Sequence, residues 1–420
     1  ILNADTDHPS IKVDMLGEMV DACHKEGIRV AAYFNAGLDH EHALLHRDWC
    51  RLDEQGRVVK MAEMYHFFRL MCFNTGYREH LLSMIEEVLD KYPVDGIFLD
   101  CFYRSPCYGA ECLTKMQQVG MDIKDPEQVA EFAHLSNINF CNDVTKLVRS
   151  KSGEDTYIIY NGMPYDIQPT HIEIEVLPTG GWGYDYLPFV IRYTRTINKP
   201  YFTMTGRFHK GWGDFGGLRT LPSLKFDLLY SLANGGTCSV GDHLHPLGKL
   251  EPAVYDLVGK AYDEVKKLEP WTYNSKSQAE ILLLNPGLRD FPARWDASFD
   301  SVRGATRILS ELKQQFDVGD DRVDLNQYKV VILPDDVTLD ESMLAKVQEY
   351  RKNGGAVICS GYGGFNKDKS EFVLDPQSVI YEGPEPFDPI FFRPESEVAQ
   401  DIPDLPIAVY SQGAAVNAGS

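Results

Sequence analysis

The sequence predicts two α/β domains: a TIM (β/α)8-type barrel over residues 1–270 and a smaller, flavodoxin-like doubly wound domain over residues 275–385. Three observations support this prediction. Short apolar runs alternate with amphipathic helical segments through about residue 268, and right-handed crossovers turn that order into a parallel sheet. Several of the apolar runs end in polar residues, as at the carboxyl rim of a barrel. The alternation then resets around residues 271–278, and a shorter α/β series follows.

The barrel elements follow one another with crossovers between the strands. Helices with apolar residues at helical spacing are predicted at 11–26, 76–91, 126–150, 185–197, 220–233 and 251–268. Strands are predicted at 28–35, 69–74, 96–100, 156–161, 171–177, 200–205 and 235–240. Seven strands are one short of a closed barrel, and the chain opens with Ile1 close to a helix. We therefore expect a fragment whose first strand, and any leader, would lie upstream.

The second domain has fewer elements. Strands are predicted at 281–284, 330–333 and 356–360, and helices at 302–316 and 340–353. The tail over 386–420 lies in a stretch rich in Pro, Asp and Glu, and we expect it to pack poorly or to be truncated.

Composition excludes some partners. A net charge of −21 argues against nucleic acid and anionic membranes, because both require a basic surface. No apolar run reaches the roughly 18 to 20 residues of a membrane span. Nine cysteines are too few for a disulfide scaffold and odd in number, which favours a reducing, cytoplasmic setting.

Two strands carry acids toward the barrel interior. The strand that contains Asp100 is buried and apolar except for this terminal carboxylate, although a helix cap or a structural ion pair would also account for the acid. In residues 171–176 polar and apolar residues alternate, so His171, Glu173 and Glu175 share one face. An exposed edge strand would show the same pattern, but the surrounding crossovers leave little room for an edge. Lumen-facing acids are costly unless they are hydrogen-bonded or solvated at the mouth of the barrel.

Two carboxylates on one rim are what glycoside hydrolysis requires. One protonates the departing oxygen, and the other attacks the sugar or activates water. We predict Asp100 and Glu175 as the catalytic pair, with Glu173 in reserve as the acid/base. Their separation, which distinguishes retention from inversion, cannot be read from the sequence.

Polar and aromatic residues near the same strand ends are typical of a carbohydrate site, because amides and charged groups bond hydroxyls and aromatic rings stack on sugar faces. The predicted substrate-binding residues are Tyr33, Asn35, Asn74, Tyr103, Asn161, Glu173, Trp182, Arg207, His209, Trp212, Asp242 and His243.

Four segments carry a family resemblance: 22–28 (ACHKEGI), 94–100 (VDGIFLD), 206–215 (GRFHKGWGDF) and 239–248 (SVGDHLHPLG). Together they resemble the fucosidase-like glycoside hydrolases of family 151, relatives of the family 29 fucosidases, with a beta-galactosidase-type trimerisation domain. The resemblance spans residues 1 to about 365. It implies a retaining exo-acting alpha-L-fucosidase with Asp100 as nucleophile and Glu175 as acid/base, and a homotrimer formed through residues 275–385. The histidine pair that binds fucose in family 29 is not visible near the N-terminus, which leaves the sugar open.

Two alternatives remain. One is a beta- or alpha-galactosidase-like enzyme, although the strand over 200–205 lacks the glutamate that beta-galactosidase chemistry uses. The other is a carbohydrate-binding protein without catalytic activity.

No cofactor or metal is predicted. Cys101, Cys107 and Cys112 cluster after one strand, but their spacing is not that of a strong zinc site. Residues 361–364 (GYGG) lack the full pattern of a dinucleotide loop and are read as a tight turn.

Overall fold

The computed structural model describes residues 12–60, 68–167, 169–245, 247–291, 299–393 and 404–418. Within these residues, six parallel strands form the barrel portion. They are β1 (Ala31–Asn35), β2 (Gly96–Asp100), β3 (Tyr157–Tyr160), β4 (Ile172–Val176), β5 (Tyr201–Gly206) and β6 (Thr237–Gly241). They form two three-stranded sheets, β1-β2-β3 and β4-β5-β6. The sheets meet where the Thr170 backbone N–H donates to the Ile158 carbonyl at 2.9 Å.

Helices flank these strands. They are α1 (Met15–Lys25), α2 (Glu41–Leu45), α3 (Tyr77–Lys91), α4 (Ala110–Gln118), α5 (Pro126–Ser152), α6 (Tyr186–Thr194), α7 (Leu221–Ala233) and α8 (Pro252–Thr272). The first turn of α5 follows a common sequence rule, because the Asp125 side chain accepts a hydrogen bond from the Glu127 N–H and Pro126 occupies the first turn. Apolar residues on one side of β2, Ile97 and Leu99, are fully buried in a core that also contains Phe140 of α5.

The strand predicted at 69–74 is wrong. Residues 69–71 form isolated antiparallel bridges, to Lys60, Leu38 and Cys50, and β1 pairs directly with β2. The segment is apolar because its side chains are buried: Leu70, Met71, Cys72 and Phe73 are each at most 4% exposed. An apolar run alone therefore did not distinguish a buried extended loop from a strand.

The second domain contains a four-stranded parallel sheet in the order β10-β9-β7-β8. Its elements are β7 (Ile281–Leu284), α9 (Asp300–Glu311), β8 (Phe316–Gly319), β9 (Val330–Leu333), α10 (Glu341–Lys352) and β10 (Ala356–Cys359). The predicted helix 302–316 is too long, because α9 ends at Glu311 and β8 follows it. β8 lies beside β7 and is buried at all four positions.

The tail is more ordered than predicted in its described part. β11 (Val379–Pro384) pairs antiparallel with β14 (Ala414–Ala418), and β12 (Ile390–Phe392) pairs antiparallel with β13 (Ile407–Val409). Among the described residues, no helix is both long enough and apolar enough to span a bilayer. All nine cysteines are free thiols.

The two domains share a core. Helix α6 packs against β8, and one apolar cluster contains Val190 and Tyr193 of α6 together with Leu283, Phe291 and Phe316 of the second domain. Arg195 also donates from Nε to Asp317 Oδ1 at 2.6 Å across this boundary. The two domains are therefore joined by a buried ion pair and by a continuous apolar core, in addition to surface contacts.

Candidate active site

Asp100 is the last residue of β2, at the carboxyl end of the sheet. Its Oδ2 accepts a hydrogen bond from the Tyr33 hydroxyl at 2.7 Å. Its Oδ1 accepts from the Asn161 side-chain amide at 3.0 Å and from the Cys101 backbone N–H at 2.6 Å. Three donors from β1 and from the ends of β2 and β3 thus hold this carboxylate in one orientation.

The Asn161 side chain connects Asp100 to a second carboxylate. Its Nδ2 also donates to Glu175 Oε2 on β4, at 3.2 Å. With one nitrogen bonded to both acids, at 3.0 and 3.2 Å, Asp100 Oδ1 and Glu175 Oε2 lie at most about 6 Å apart. The two acids that sequence periodicity placed inward therefore converge.

Glu175 receives a second donor from the loop after β5. The indole N–H of Trp212 donates to Glu175 Oε1. The Trp212 ring lies directly against Gly241 at the end of β6, where a Cβ atom would approach Trp212 to 2.2 Å. Glycine at this position therefore allows the ring to reach the carboxylate.

Arg207 holds the loop that carries Trp212. It is 5% exposed, pairs with Asp242 at 2.9 Å and donates to the Phe215 and Gly217 carbonyls at 3.1 and 2.9 Å. These contacts join the loop after β5 to the end of β6. His243 packs beside Trp212, with ring centroids 5.4 Å apart.

The electrostatics differ between the acids. Burial raises the pKa of Glu175, Trp212 lowers it, Asp100 raises it and Asn161 lowers it, with a net upward shift. Glu173 lies one strand repeat below and is buried, and neither of its carboxyl oxygens has a hydrogen-bond partner among the described residues. Burial, followed by the charges of Glu175 and Asp100, raises the pKa of Glu173 well above its ordinary value.

Two tyrosines and a thiol surround Asp100. Burial, with the nearby Asp100 charge, raises the pKa of both Tyr33 and Tyr103. Both phenols therefore stay protonated and can donate. Cys101 lies between them with a backbone φ of 64°, a conformation that non-glycine residues seldom adopt. Burial raises the pKa of its thiol to about 12, so the thiol stays neutral.

Other predicted site residues lie nearby or elsewhere. Asn35 is the register partner of Asp100 on β1, and its side chain accepts from the Leu38 N–H at 3.1 Å. His209 is exposed in the loop after β5, and the Trp182 ring packs edge-on against Tyr186. Among the described residues, no hydrogen bond joins His209 to the acid pair.

Asn74 is the clearest departure from the predicted grouping. Its Nδ2 donates to Ser136 Oγ at 2.7 Å and to Cys112 Sγ at 3.3 Å, and it lines a cavity of about 710 Å³ that α3, α4 and α5 also line. The structure thus places Asn74 in a different pocket, because residues 69–74 do not form a barrel strand.

One cluster could hold a metal ion. The sulfur atoms of Cys72, Cys107 and Cys112 lie within 4.8 Å of one another and are buried. Thiolates of this kind suit zinc or another soft ion, and the set fits such an ion in ligand type, with a fourth ligand still to be supplied. The sequence grouped Cys101 with Cys107 and Cys112. The structure replaces Cys101 with Cys72, which is 35 residues from Cys107 and could not be found from local spacing.

This arrangement suits acid-assisted displacement at a single carbon atom. One carboxylate is fixed by three donors and the other has a raised pKa, and the gap between them is close to that of enzymes that act through a covalent intermediate.

Comparisons with known proteins show which families the chain resembles. Residues 2–101 match the family model described as hypothetical glycosyl hydrolase 6, and residues 300–378 match the beta-galactosidase trimerisation domain. A comparison with curated protein sequences finds no match.

Among solved structures, alpha-L-fucosidase isoenzyme 2 from Paenibacillus thiaminolyticus is 32% identical, with a TM-score of 0.91 over 99% of this chain and 64% of that one. The cold-adapted beta-galactosidase from Rahnella sp. R3 is 14% identical, with a TM-score of 0.76 over 98% of this chain and 74% of that one. The beta-galactosidase from Halorubrum lacusprofundi is 15% identical, with a TM-score of 0.74 over 98% and 75%.

These matches confirm the resemblance and the fold. The chain is similar in sequence and in architecture to glycoside hydrolases that have a TIM-type barrel followed by a trimerisation-type α/β domain. It spans about two thirds of the length of the fucosidase that it resembles, 64%.

Proposed function

We propose that the protein is a retaining exo-glycoside hydrolase of the alpha-L-fucosidase type, with Asp100 as nucleophile and Glu175 as acid/base. The observation that carries this proposal is the Asn161 amide, which bonds to both carboxylates at 3.0 and 3.2 Å. Retaining glycosidases hold their two carboxyl groups about 5 to 5.5 Å apart, whereas inverting enzymes need about 6.5 to 9.5 Å to admit water. An oxygen separation of at most about 6 Å favours retention.

The proposed reaction has two steps. In the first, Asp100 attacks the anomeric carbon as the bond to the leaving oxygen breaks, and the Glu175 proton passes to that oxygen. In the second, Glu175 takes a proton from water, the water oxygen bonds to the anomeric carbon, and the bond to Asp100 breaks. Burial suits Glu175 to the first step because it raises the pKa of the group that must begin protonated.

Asp100 is favoured as the nucleophile by its hydrogen bonds. Tyr33, Asn161 and the Cys101 N–H all donate to it and hold its oxygens in one orientation for attack. Trp212 and Asn161 keep Glu175 within reach of the same carbon atom. Glu173 is a weaker candidate for the acid/base because both of its carboxyl oxygens are buried from solvent.

The fucosyl specificity is supported by the solved fucosidase, which is 32% identical over nearly the whole chain. The structurally similar beta-galactosidases share the fold at 14–15% identity, so galactosides are tested as the alternative substrates.

The test compares aryl glycosides of α-L-fucose, α-D-galactose and β-D-galactose with the full chain and three variants. Asp100→Ala should lose at least about 10³-fold in kcat, because the nucleophile is removed. Glu175→Ala should lose most activity but recover it with azide on a substrate with a good leaving group. Asp95→Asn is the matched control. Asp95 precedes β2 and bonds to the Val30 N–H at 2.7 Å, at the opposite end of the strand.

Retention is checked by NMR of the first-formed sugar anomer. An inverted product, or full activity in Asp100→Ala, would reject the assigned mechanism. Hydrolysis confined to a galactoside would keep the mechanism and replace the sugar.

We also propose that the second domain assembles the protein into a homotrimer. The match of residues 300–378 to a trimerisation domain supports this. Light scattering should give a mass near three times 47.5 kDa, and a monomer at micromolar concentration would contradict it.

A further inference from the structure

The loop between β3 and β4, residues 161–171, links two parts of the candidate active site. It begins with Asn161, which bonds to both carboxylates, and it leads into β4, which carries Glu175. Gly162 turns the chain away from the site with a φ of 73°. Any displacement of this loop would therefore act on the bridging amide first.

The middle of the loop is packed against the second domain. Tyr165 is 5% exposed and belongs to the apolar cluster that the two domains share. Its ring lies 5.8 Å from that of Tyr193 on α6 and 6.4 Å from that of Phe291 in the second domain.

The next residue is held by ion pairs. Asp166 Oδ2 accepts from Arg289 Nε at 3.0 Å, and Asp166 Oδ1 accepts from Arg322 Nη1. Both arginines belong to the second domain. Arg322 is itself held in place, because its Nε lies 3.0 Å from Asp320 Oδ1 and its Nη2 lies 3.0 Å from the Tyr193 hydroxyl.

From these contacts we propose that Asp166, Arg289 and Arg322 are positioning residues of the active site, through which the second domain holds Asn161 in place between the two carboxylates. The inference rests on the proposed pairing of Asp100 with Glu175. Only four residues lie between Asn161 and Asp166, and three of them are buried. The chain therefore has little slack to absorb a shift.

The inference makes a distinctive prediction about energetics. Asp166 and Arg289 have side chains that are 38% and 51% exposed, and ion pairs at such positions contribute little to global stability. Asn161, in contrast, bonds at 3.0 and 3.2 Å to two acids at once, so a shift of an ångström breaks at least one bond. Removing the ion pairs should disturb the site more than the fold.

The first measurement does not depend on catalysis. The indole N–H of Trp212 bonds to Glu175, so its NMR resonance should follow the titration of that acid. Asn161 lowers the pKa of Glu175, and Asp100 and Glu173 are the other acids that face it. In Asp166→Ala the titration midpoint should therefore rise, by about half a unit if the Asn161 bond is partly lost.

The second measurement is kinetic. In Asp166→Ala and Arg322→Ala, kcat should fall about tenfold with KM little changed, because misplaced catalytic groups affect the transition state most. Asp166→Glu should recover part of the loss. The matched control is Asp143→Ala, which removes another half-exposed ion pair of the barrel, with Arg78.

The outcomes separate the two proposals. An unchanged Trp212 midpoint in both Asp166→Ala and Arg322→Ala, or an equal shift in Asp143→Ala, overturns the positioning role. A raised midpoint in a chain that hydrolyses no tested glycoside supports the positioning role and rejects the proposed function. If Asp166→Ala fails to fold, Arg289→Ala and Arg322→Lys test the same contacts.

Discussion

The hydrogen bond from Trp212 to Glu175 allows a direct test of the acid/base assignment. In Trp212→Phe an aromatic ring still packs against Gly241 and Phe208, but the N–H donor is lost. This donor stabilises the ionised carboxylate and so lowers the pKa of Glu175. Its removal should raise that pKa further.

The size of the shift follows from the hydrogen bond. A hydrogen bond to a charged group contributes about 1.5 to 3 kcal/mol, and one pKa unit corresponds to about 1.4 kcal/mol. Because water can replace part of the lost donor at the pocket mouth, we expect an increase of about one unit. Glu175 would then stay protonated to higher pH, and the basic limb of the kcat/KM profile should move upward.

The assay is the pH profile of kcat/KM on an aryl glycoside whose leaving group needs protonation. Trp271→Phe is the control, since it makes the same chemical change at an exposed ring of α8. A basic limb that stays in place or moves downward in a folded Trp212→Phe protein would refute the role of Glu175 as acid.

Two further predictions concern stability. Glu173→Gln should stabilise the protein increasingly as pH rises above 4.5. The reason is that Glu173 releases its proton near that pH in the unfolded chain but retains it in the folded chain, where burial raises its pKa. Thermal melts that show equal stabilisation at pH 4 and pH 7 would contradict this prediction. Asp227→Ala should cost about 3 to 5 kcal/mol in urea unfolding, because it leaves Arg219 buried without its partner, 2.7 Å away. The double variant Arg219→Met with Asp227→Leu should recover most of that loss, whereas Arg307→Ala, at an exposed ion pair with Glu311, should leave the unfolding midpoint unchanged.

The sequence predicted the chemistry of the strands better than their number. β2 was predicted with its observed bounds because Gly96 and Asp100 mark its ends. The inward direction of Glu175 followed from strict alternation along β4, and the bond through Asn161 shows that this acid and Asp100 do meet. The alternation of residues along a strand determines which face of the sheet each side chain occupies. A direction predicted from the sequence therefore still holds in the folded barrel.

The remaining features depend on contacts that local patterns do not contain. Residues 69–74 are as apolar as a strand, but their backbone forms only isolated bridges. The partner of Cys107 and Cys112 is Cys72, which folding brings from the loop before α3. Similarly, no local motif indicates that Asp166 meets Arg289 and Arg322, which are more than 120 residues away.

A glycine in the loop after β1 offers a final test of how the nucleophile is held. A Cβ atom at Gly37 would lie 2.0 Å from the Cys101 carbonyl oxygen, so Gly37→Ala must displace the residue whose N–H bonds Asp100 at 2.6 Å. We expect a cost of about 1 to 3 kcal/mol from overpacking, together with a fall in kcat.

Gly259→Ala is the control, because a Cβ atom there meets nothing within 4 Å. Since Gly259 lies inside α8, this change should stabilise the protein by up to about 1 kcal/mol. Suppose that Gly37→Ala lowers the free energy of unfolding in urea, that Gly259→Ala raises it, and that kcat falls in Gly37→Ala alone. This result would show that close approach of the chain at Gly37 maintains the orientation of Asp100. Equal effects would mean that the strand end adjusts freely, and the left-handed conformation of Cys101 would then have no role in holding the carboxylate.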